Sequence, residues 1–243
     1  MQLDFHQKIQ EDEYAFPYHH LVNFSPFASG KTLFWGLEYY SYLSCVLDKL
    51  GGFDWDSLLE VGCGDGKFIA EATSRFPDRQ ITGIDYSERA ILFAKAFNFN
   101  NGAELVCGDV AGVERTFDVL AVIETLEHIP DSRLSEFVQT LSQRLNPEGT
   151  LVVTVPTINA PLQDKHYRHY DIALLERHLA GFTLVSAQYV MKTGWIRRAL
   201  FSLATKGSGM LGVQRLTYVL ARRNLFTASA RTGRHLVATF SRQ

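Results

Sequence analysis

Two constellations in this 243-residue chain carry residue types suited to chemistry. The first is Glu60-x-Gly62-x-Gly64-x-Gly66, preceded by the apolar Leu58-Leu59 and followed nineteen residues after its last glycine by Asp85, which ends Gln80-Ile-Thr-Gly-Ile-Asp85. Glycine at every second position lets a ligand lie against bare backbone, and an acid closing the next strand is placed to accept hydrogen bonds from both hydroxyls of a ribose. The dinucleotide fingerprint G-x-G-x-x-G needs glycine where Lys67 stands, so the spacing points to a nucleoside cofactor other than NAD or FAD. The second constellation is Glu124-x-x-Glu127-His128, with Asp164-Lys-His166-Tyr-Arg168-His169-Tyr-Asp171 further on. Its carboxylates and imidazoles suit proton transfer or the binding of a divalent cation.

The elements that must position these residues follow from the apolar pattern. Strands are expected at 57–61, 80–85, 103–107, 117–123 and 149–155, alternating with helices at 67–75, 87–97 and 131–144. Asn146-Pro-Glu-Gly149 reads as the turn before the fifth strand. A helix from about Asp171 to Leu179 and strands Thr183–Val190 and His235–Phe240 complete the pattern. The alternation predicts an α/β fold: a doubly wound, mainly parallel seven-stranded sheet with helices on both faces. Residues 1–30 read as irregular and aromatic-rich, and Thr32–Leu50 as a helix, together an N-terminal cap (1–50) ahead of a core (55–160). Residues 161–243 hold a polar lip, a basic helical insertion at 195–226 and the last strand, and the whole chain reads as one domain.

Composition narrows the class. An apolar content of 46% supports one well-buried α/β domain, and no run of eighteen apolar residues is present to span a membrane. Cys45, Cys63 and Cys107 have no disulfide or metal spacing, and Asp4, Glu11, Asp12 and Glu13 stand where a secretory signal would carry positive charge. A cytoplasmic location is expected. The net charge of −2 conceals an asymmetry: residues 1–176 hold 13 Lys/Arg against all 26 acids, and residues 177–243 hold 11 Lys/Arg and no acid. Such a segment attracts anionic membrane surfaces, phosphate-bearing substrates or nucleic acid, or it balances an acidic surface elsewhere.

The motif Glu60-x-Gly62-x-Gly64-x-Gly66 with Asp85 resembles the cofactor site of class I S-adenosylmethionine (SAM)-dependent methyltransferases. Val106-Cys-Gly-Asp109-Val, Phe117–Pro130 and Leu145–Pro156 resemble the later motifs of that superfamily, so the resemblance covers roughly 55–160 and the final strand. It implies a Rossmann-like methyltransferase fold and cofactor contacts from Glu60, Gly62, Cys63, Gly64, Gly66, Asp85, Tyr86, Asp109, Val110 and Glu124. Asp109 would meet the adenine, or only cap the turn that follows it. Glu124 would lie beside the methionine end, or only end a strand.

Glu124-x-x-Glu127-His128 is similar to the motif of the ubiquinone-pathway O-methyltransferases, and also to that of small-RNA ribose 2′-O-methyltransferases, which use it with a downstream histidine to hold Mg²⁺ or Mn²⁺. The resemblance implies His128, Glu127 and His169 as candidate catalytic residues, with Glu124, Glu127, His128 and one of His166 or His169 as the ligand set if a metal is used. In methyltransferases that need no metal, Glu127 and His128 would only cap a loop. His166, Arg168, Tyr18 and His19 are candidate substrate contacts; Arg168 would grip a phosphate or carboxylate, or hold the loop through Asp171. Phe34, Trp35 and Tyr39 read as packing residues. The expectation is methyl transfer to oxygen on a small-molecule, sugar or lipid-linked acceptor, with residues 195–226 as a possible contact with the inner face of an anionic membrane. A metal-dependent RNA ribose methyltransferase is the alternative, though nucleic acid fits less well for want of an RNA-binding module. A SAM-fold binding protein without turnover is the second alternative.

Overall fold

The computed structural model describes residues 4–15, 17, 19, 30–206 and 213–243. Seven strands form one sheet: β1 (Ser57–Val61), β2 (Gln80–Asp85), β3 (Glu104–Cys107), β4 (Phe117–Ile123), β5 (Leu145–Pro156), β6 (Phe182–Lys192) and β7 (Gly233–Arg242). Their order is β3-β2-β1-β4-β5-β7-β6, and only β7 runs antiparallel to its neighbours. The crossover helices are α3 (Lys67–Arg75), α4 (Glu88–Phe97), α5 (Asp131–Arg144) and α6 (Ile172–His178). Helices α1 (Phe5–Glu13) and α2 (Gly30–Leu50) precede β1, while α7 (Trp195–Lys206) and α8 (Val213–Leu225) lie between β6 and β7.

Strand β4 shows why the sheet is central. Val119 and Ala121 face one core with Leu43, Val46 and Phe68 from α2 and α3, whereas Leu120 and Val122 face another with Leu134, Leu141 and Leu175 from α5 and α6. A strand covered on both faces is apolar on both, which is the continuous run Val119–Ile123 seen in the sequence. The strand order reverses between β1 and β4, so a crevice opens past their carboxyl ends. The loops after β1, β2, β3 and β4 all converge there.

Two expectations are corrected. Residues 5–13 form a helix, not an irregular segment: Asp4 caps it by accepting from Gln7 N (2.9 Å), and the Gln7 side chain returns the bond to Asp4 N (3.1 Å). No residue of this helix is buried, so it lacks the apolar stripe that would reveal it, and polar ties hold it in place. The expected turn at Asn146–Gly149 lies within β5, where the pairing with β4 shifts register between Phe117 and Val119.

Candidate active site

A cleft of about 350 Å³ runs across the carboxyl ends of β1, β2 and β4 beneath α1 and α2. One half is built on the glycine loop. Gly62 and Gly64 have φ of 79° and 53°, where a side chain is strained. A Cβ on Gly62 would stand 2.5 Å from Thr125 Oγ1, and one on Gly64 2.7 Å from the Tyr14 hydroxyl. Asp85 is anchored on both oxygens, accepting from Gly64 N and Ser87 N at 2.9 Å each. Burial raises its pKa to about 6 despite those bonds. Each oxygen keeps a lone pair for a further donor.

Glu60 is buried at the floor of this half, with Oε2 unpartnered. Burial, and then the charges of Asp85 and Asp65, push its pKa well up. Asp65 binds His19 twice, through the backbone N (3.0 Å) and Nδ1 (2.9 Å). Cys63, Tyr86, Asp109 and Val110 also line the cleft, whereas Gly66 starts α3 outside its lining. Asp109 caps the short helical turn Val110–Gly112 by accepting from Ala111 N at 3.0 Å, and pairs with Arg133 at 3.4 Å. An orphaned buried carboxylate, a side-chain-free cradle and an acid anchored by two amides fit an aminoacyl nucleoside such as SAM.

The other half is made of charge. Glu124 sits at φ 48° after β4 and accepts from Thr154 Oγ1 at 3.0 Å. Its Oε2 lies 2.9 Å from His235 Nδ1, and His235 Nε2 lies 3.1 Å from Glu38 on α2. Glu38 also accepts from Arg234 and, at 2.9 Å, from Arg197 on α7. Burial alone would lower the His235 pKa, but the two carboxylates override it and raise it to about 10. Glu38 would rise by burial, yet His235 and Arg234 hold it well below the usual carboxylate range. Thus His235 is an imidazolium clamped between two carboxylates.

Beside this network stands a second cluster. Glu127 is wholly buried, and neither carboxylate oxygen has a partner. Burial and the neighbouring Glu124 raise its pKa well above the ordinary range. His128 Nδ1 lies 3.1 Å from Lys165 O, which can only accept, so Nδ1 carries the proton and Nε2 a lone pair. His169 Nδ1 donates to Ala160 O (3.1 Å), so its Nε2 accepts from His166 Nδ1 (2.8 Å), and His166 Nε2 is left with a lone pair. Burial holds His128 down to about 3 and His166 to about 2. Ligand atoms of Glu127, His128 and His166 lie within 4.8 Å of one another.

Several expectations change accordingly. His166, not His169, joins the cluster; His169 stands behind it and fixes its tautomer. Glu124 belongs to His235 and Thr154, so the donor set is one carboxylate and two imidazoles. This suits Mn²⁺ or a later transition ion better than Mg²⁺. Arg168 pairs with Asp131 (2.6 Å) and donates to Leu126 O (3.0 Å), so it braces the lip through these partners and not through Asp171, which caps α6. His19 lines the cleft, stacked between Asp65 and Tyr39, and Trp35 and Tyr39 line it as well as packing. Tyr18 and the Phe34 side chain lie outside the described residues. Glu38, Arg234 and His235 went unread in the sequence, for they lie in no local motif. The lone acid in the aromatic run of α2 was the one available cue.

The sequence profile described as "Methyltransferase domain" matches residues 18–192. The mitochondrial ubiquinone biosynthesis O-methyltransferase of Schizosaccharomyces pombe is 32% identical over 120 residues, 46% of this chain and 42% of that protein. The malonyl-[acyl-carrier protein] O-methyltransferase of Priestia megaterium is 29% identical over 117 residues, 46% and 42% of the two chains. These matches span less than half the length of each relative. Among solved structures, the N-methyltransferase NodS of Bradyrhizobium japonicum with S-adenosylhomocysteine (SAH) superposes with TM-score 0.63 at 19% identity, covering 98% of this chain and 99% of that one. The magnesium protoporphyrin IX methyltransferase of Synechocystis with SAH gives 0.65 at 13% identity, covering 97% and 99%. Both likenesses establish the fold.

Proposed function

The chain belongs to the methyltransferase domain family, which is SAM-dependent, and from that premise we propose that it transfers a methyl group to an oxygen of a small-molecule, sugar or lipid-linked acceptor. The observation that carries this reading is the junction within one cleft of the Gly62–Asp85 cradle and the Glu127–His128–His166 cluster. When bound, SAM supplies a methyl group on an electrophilic sulfonium. Asp85 would hold the ribose, the Gly62 and Gly64 backbone would let the cofactor lie close, and the unpartnered Glu60 oxygen would be available to its ammonium group. Fixing both reactants in line contributes up to about 7–11 kcal/mol toward the barrier. Helices α1 and α2 exclude water from above.

An oxygen nucleophile must lose its proton, and the cluster offers the lone pairs of His128 Nε2 and His166 Nε2 to receive it. The O-methyltransferase names of the curated relatives support oxygen as the acceptor atom. A second reading is favoured by the buried, unpartnered Glu127: a divalent cation held by Glu127 Oε, His128 Nε2 and His166 Nε2. Such an ion satisfies the orphaned carboxylate and lowers the pKa of an acceptor hydroxyl. The RNA ribose methyltransferase alternative depends on this second reading and on a nucleic-acid surface.

Calorimetric titration with SAH, with and without Mn²⁺ after chelation, tests the proposal. Tight SAH binding is expected, and transfer of labelled methyl to phenols or carboxylic acids but not to amines. Absence of SAH binding, or transfer to amines alone, overturns the reading. Unchanged turnover in chelator removes the metal variant.

A further inference from the structure

Helices α7 and α8 pack through Leu200, Ala221 and Leu225 against Leu37 and Met191. Their opposite faces carry exposed apolar residues among arginines and no acid. On α7, Trp195 (73% exposed), Arg198, Ala199 and Leu203 are exposed at helical spacing. On α8, Leu216 (51%), Val219 (58%), Arg222 and Arg223 repeat the pattern. Each is a stripe of apolar residues interleaved with arginine. No acid occurs beyond Glu176, whereas residues 1–176 carry twice as many acids as bases. An anionic surface therefore attracts this face and repels the rest of the molecule.

The face is also tied to the cleft. Arg197, on the inner side of α7, reaches Glu38 on the cleft wall at 2.9 Å. Thr193 N, just before α7, donates to Thr232 O (2.7 Å), and Asn159, in the segment that leads to the cleft-lining Gln163 and Lys165, donates to Ala230 O (2.8 Å) in the same loop. Beside Asn159, Ile158 and Leu162 are 64% and 61% exposed. The exposed lip and the start of α7 are thus stitched to one loop.

We propose that the outward face of α7 and α8 docks on an anionic phospholipid bilayer, with Trp195, Leu203, Leu216 and Val219 entering the headgroup boundary and Arg198, Arg222 and Arg223 meeting lipid phosphates. Docking presents the lip and the acceptor half of the cleft to the membrane, so the acceptor of the proposed transfer is an amphiphile taken from the bilayer. The acceptor corollary rests on the methyl-transfer reading; the docking does not.

The test is co-sedimentation of the whole chain with vesicles of phosphatidylcholine containing 30% phosphatidylglycerol, against pure phosphatidylcholine, with SAH affinity measured in parallel. Strong preference for the anionic vesicles is expected, and release as salt rises to about 0.5 M. Each arginine near the surface is worth about fivefold, so R198Q/R222Q/R223Q together should weaken partitioning about a hundredfold. Trp195→Ser should weaken it roughly tenfold, and the tryptophan emission should shift to the blue on vesicle addition in wild type but not in Trp195→Ser. Unchanged SAH affinity in these variants shows an intact fold. Equal binding to neutral vesicles, no effect of the arginine substitutions, or tighter binding to single-stranded RNA than to vesicles overturns the bilayer assignment. Docking without SAH binding would instead fault the methyl-transfer reading alone.

Discussion

From Glu60 to Val110 the cleft is lined from one stretch of about fifty residues, and its key groups are backbone amides and the acids they anchor. Across from it, Glu38, Glu124, Glu127, His166 and His235 come from four places spread over nearly two hundred residues, and Glu38, Glu124 and His235 hold one another through charge. The first half is a consequence of local backbone geometry and tolerates any fold that ends β1 and β2 side by side. The second half exists only when α2, β4, β7 and the lip are docked together. Damage to the acceptor half should therefore appear first in stability, and damage to the cofactor half first in ligand affinity.

The largest effect expected is that of His235→Ala. Removing one partner of a buried charge pair costs about 3–5 kcal/mol, and the low end applies because Glu38 keeps Arg234 and Arg197. Denaturant unfolding at pH 7 should show a loss of about 3 kcal/mol, while SAH affinity in the folded protein changes little. The sign with pH follows from the raised pKa. Stability from the imidazolium is complete below about 6.5 and is lost as pH rises toward about 10, so wild type and variant should converge across that window. Parallel curves from pH 7 to 10 would refute the clamped imidazolium.

Asp85→Asn tests the opposite half. Hydrogen bonds to a charged group are worth about 1.5–3 kcal/mol, so losing the carboxylate should weaken SAH about a hundredfold, with a smaller loss of stability of about 1 kcal/mol because the Gly64 or Ser87 amide loses its acceptor. Here the pH effect has two signs. Because the folded pKa of about 6 lies above the unfolded value, the ligand-free protein loses stability as pH rises through about 4 to 6. SAH binding needs the ionised acid and so gains over the same range. A flat SAH affinity from pH 5 to 7 would remove Asp85 from the ribose role.

Glu127→Gln separates stability from function within the acceptor half. A buried carboxylate with no partner and a raised pKa is destabilising in the ionised form, so the neutral amide should stabilise by roughly 1–3 kcal/mol while turnover falls. The variant should also lose any Mn²⁺ heat seen in wild type. Reduced stability together with full activity would show that Glu127 is a structural residue whose partner is a buried water.

What was legible in the sequence follows the same division. Strands β1, β2 and β4 lie where the apolar runs place them, because successive residues such as Leu58 and Leu59 or Leu120 and Ala121 are buried on opposite faces of the sheet. The glycine loop and Asp85 were legible because left-handed backbone and a strand-end acid are local signals. His166 was not separable from His169, since which of two imidazoles turns inward is decided by the partner of its second nitrogen, here Ala160 O through His169. Glu38 and His235 were invisible for a different reason: their partners lie 196 and 111 residues away for Glu38–Arg234 and His235–Glu124, and no periodicity reports such pairs.

Helix α1 bridges the two halves, and it sets the smallest effect. It crosses the cleft with His6, Gln7 and Gln10, tied to the lip by Glu13–Lys165 (2.6 Å) and Tyr167–Asp4 (2.6 Å) and to α4 by Arg89–Glu11 O (3.2 Å). With nothing buried, its stability rests on the Asp4–Gln7 capping box and these exposed ties, each of which is weak in water. Asp4→Ala removes the cap and the Tyr167 bond together, a loss of about 1 kcal/mol confined to the helix. The melting temperature should hardly move, because local fraying does not reach the cores beneath. If α1 closes over bound cofactor, the SAH dissociation rate should rise about fivefold, the equivalent of that 1 kcal/mol, and Gln7→Ala should give a smaller rise in the same direction. If α1 serves only the acceptor half, the SAH rate stays fixed and the apparent KM for acceptor rises instead, which would place the lid on the charged side of the cleft alone.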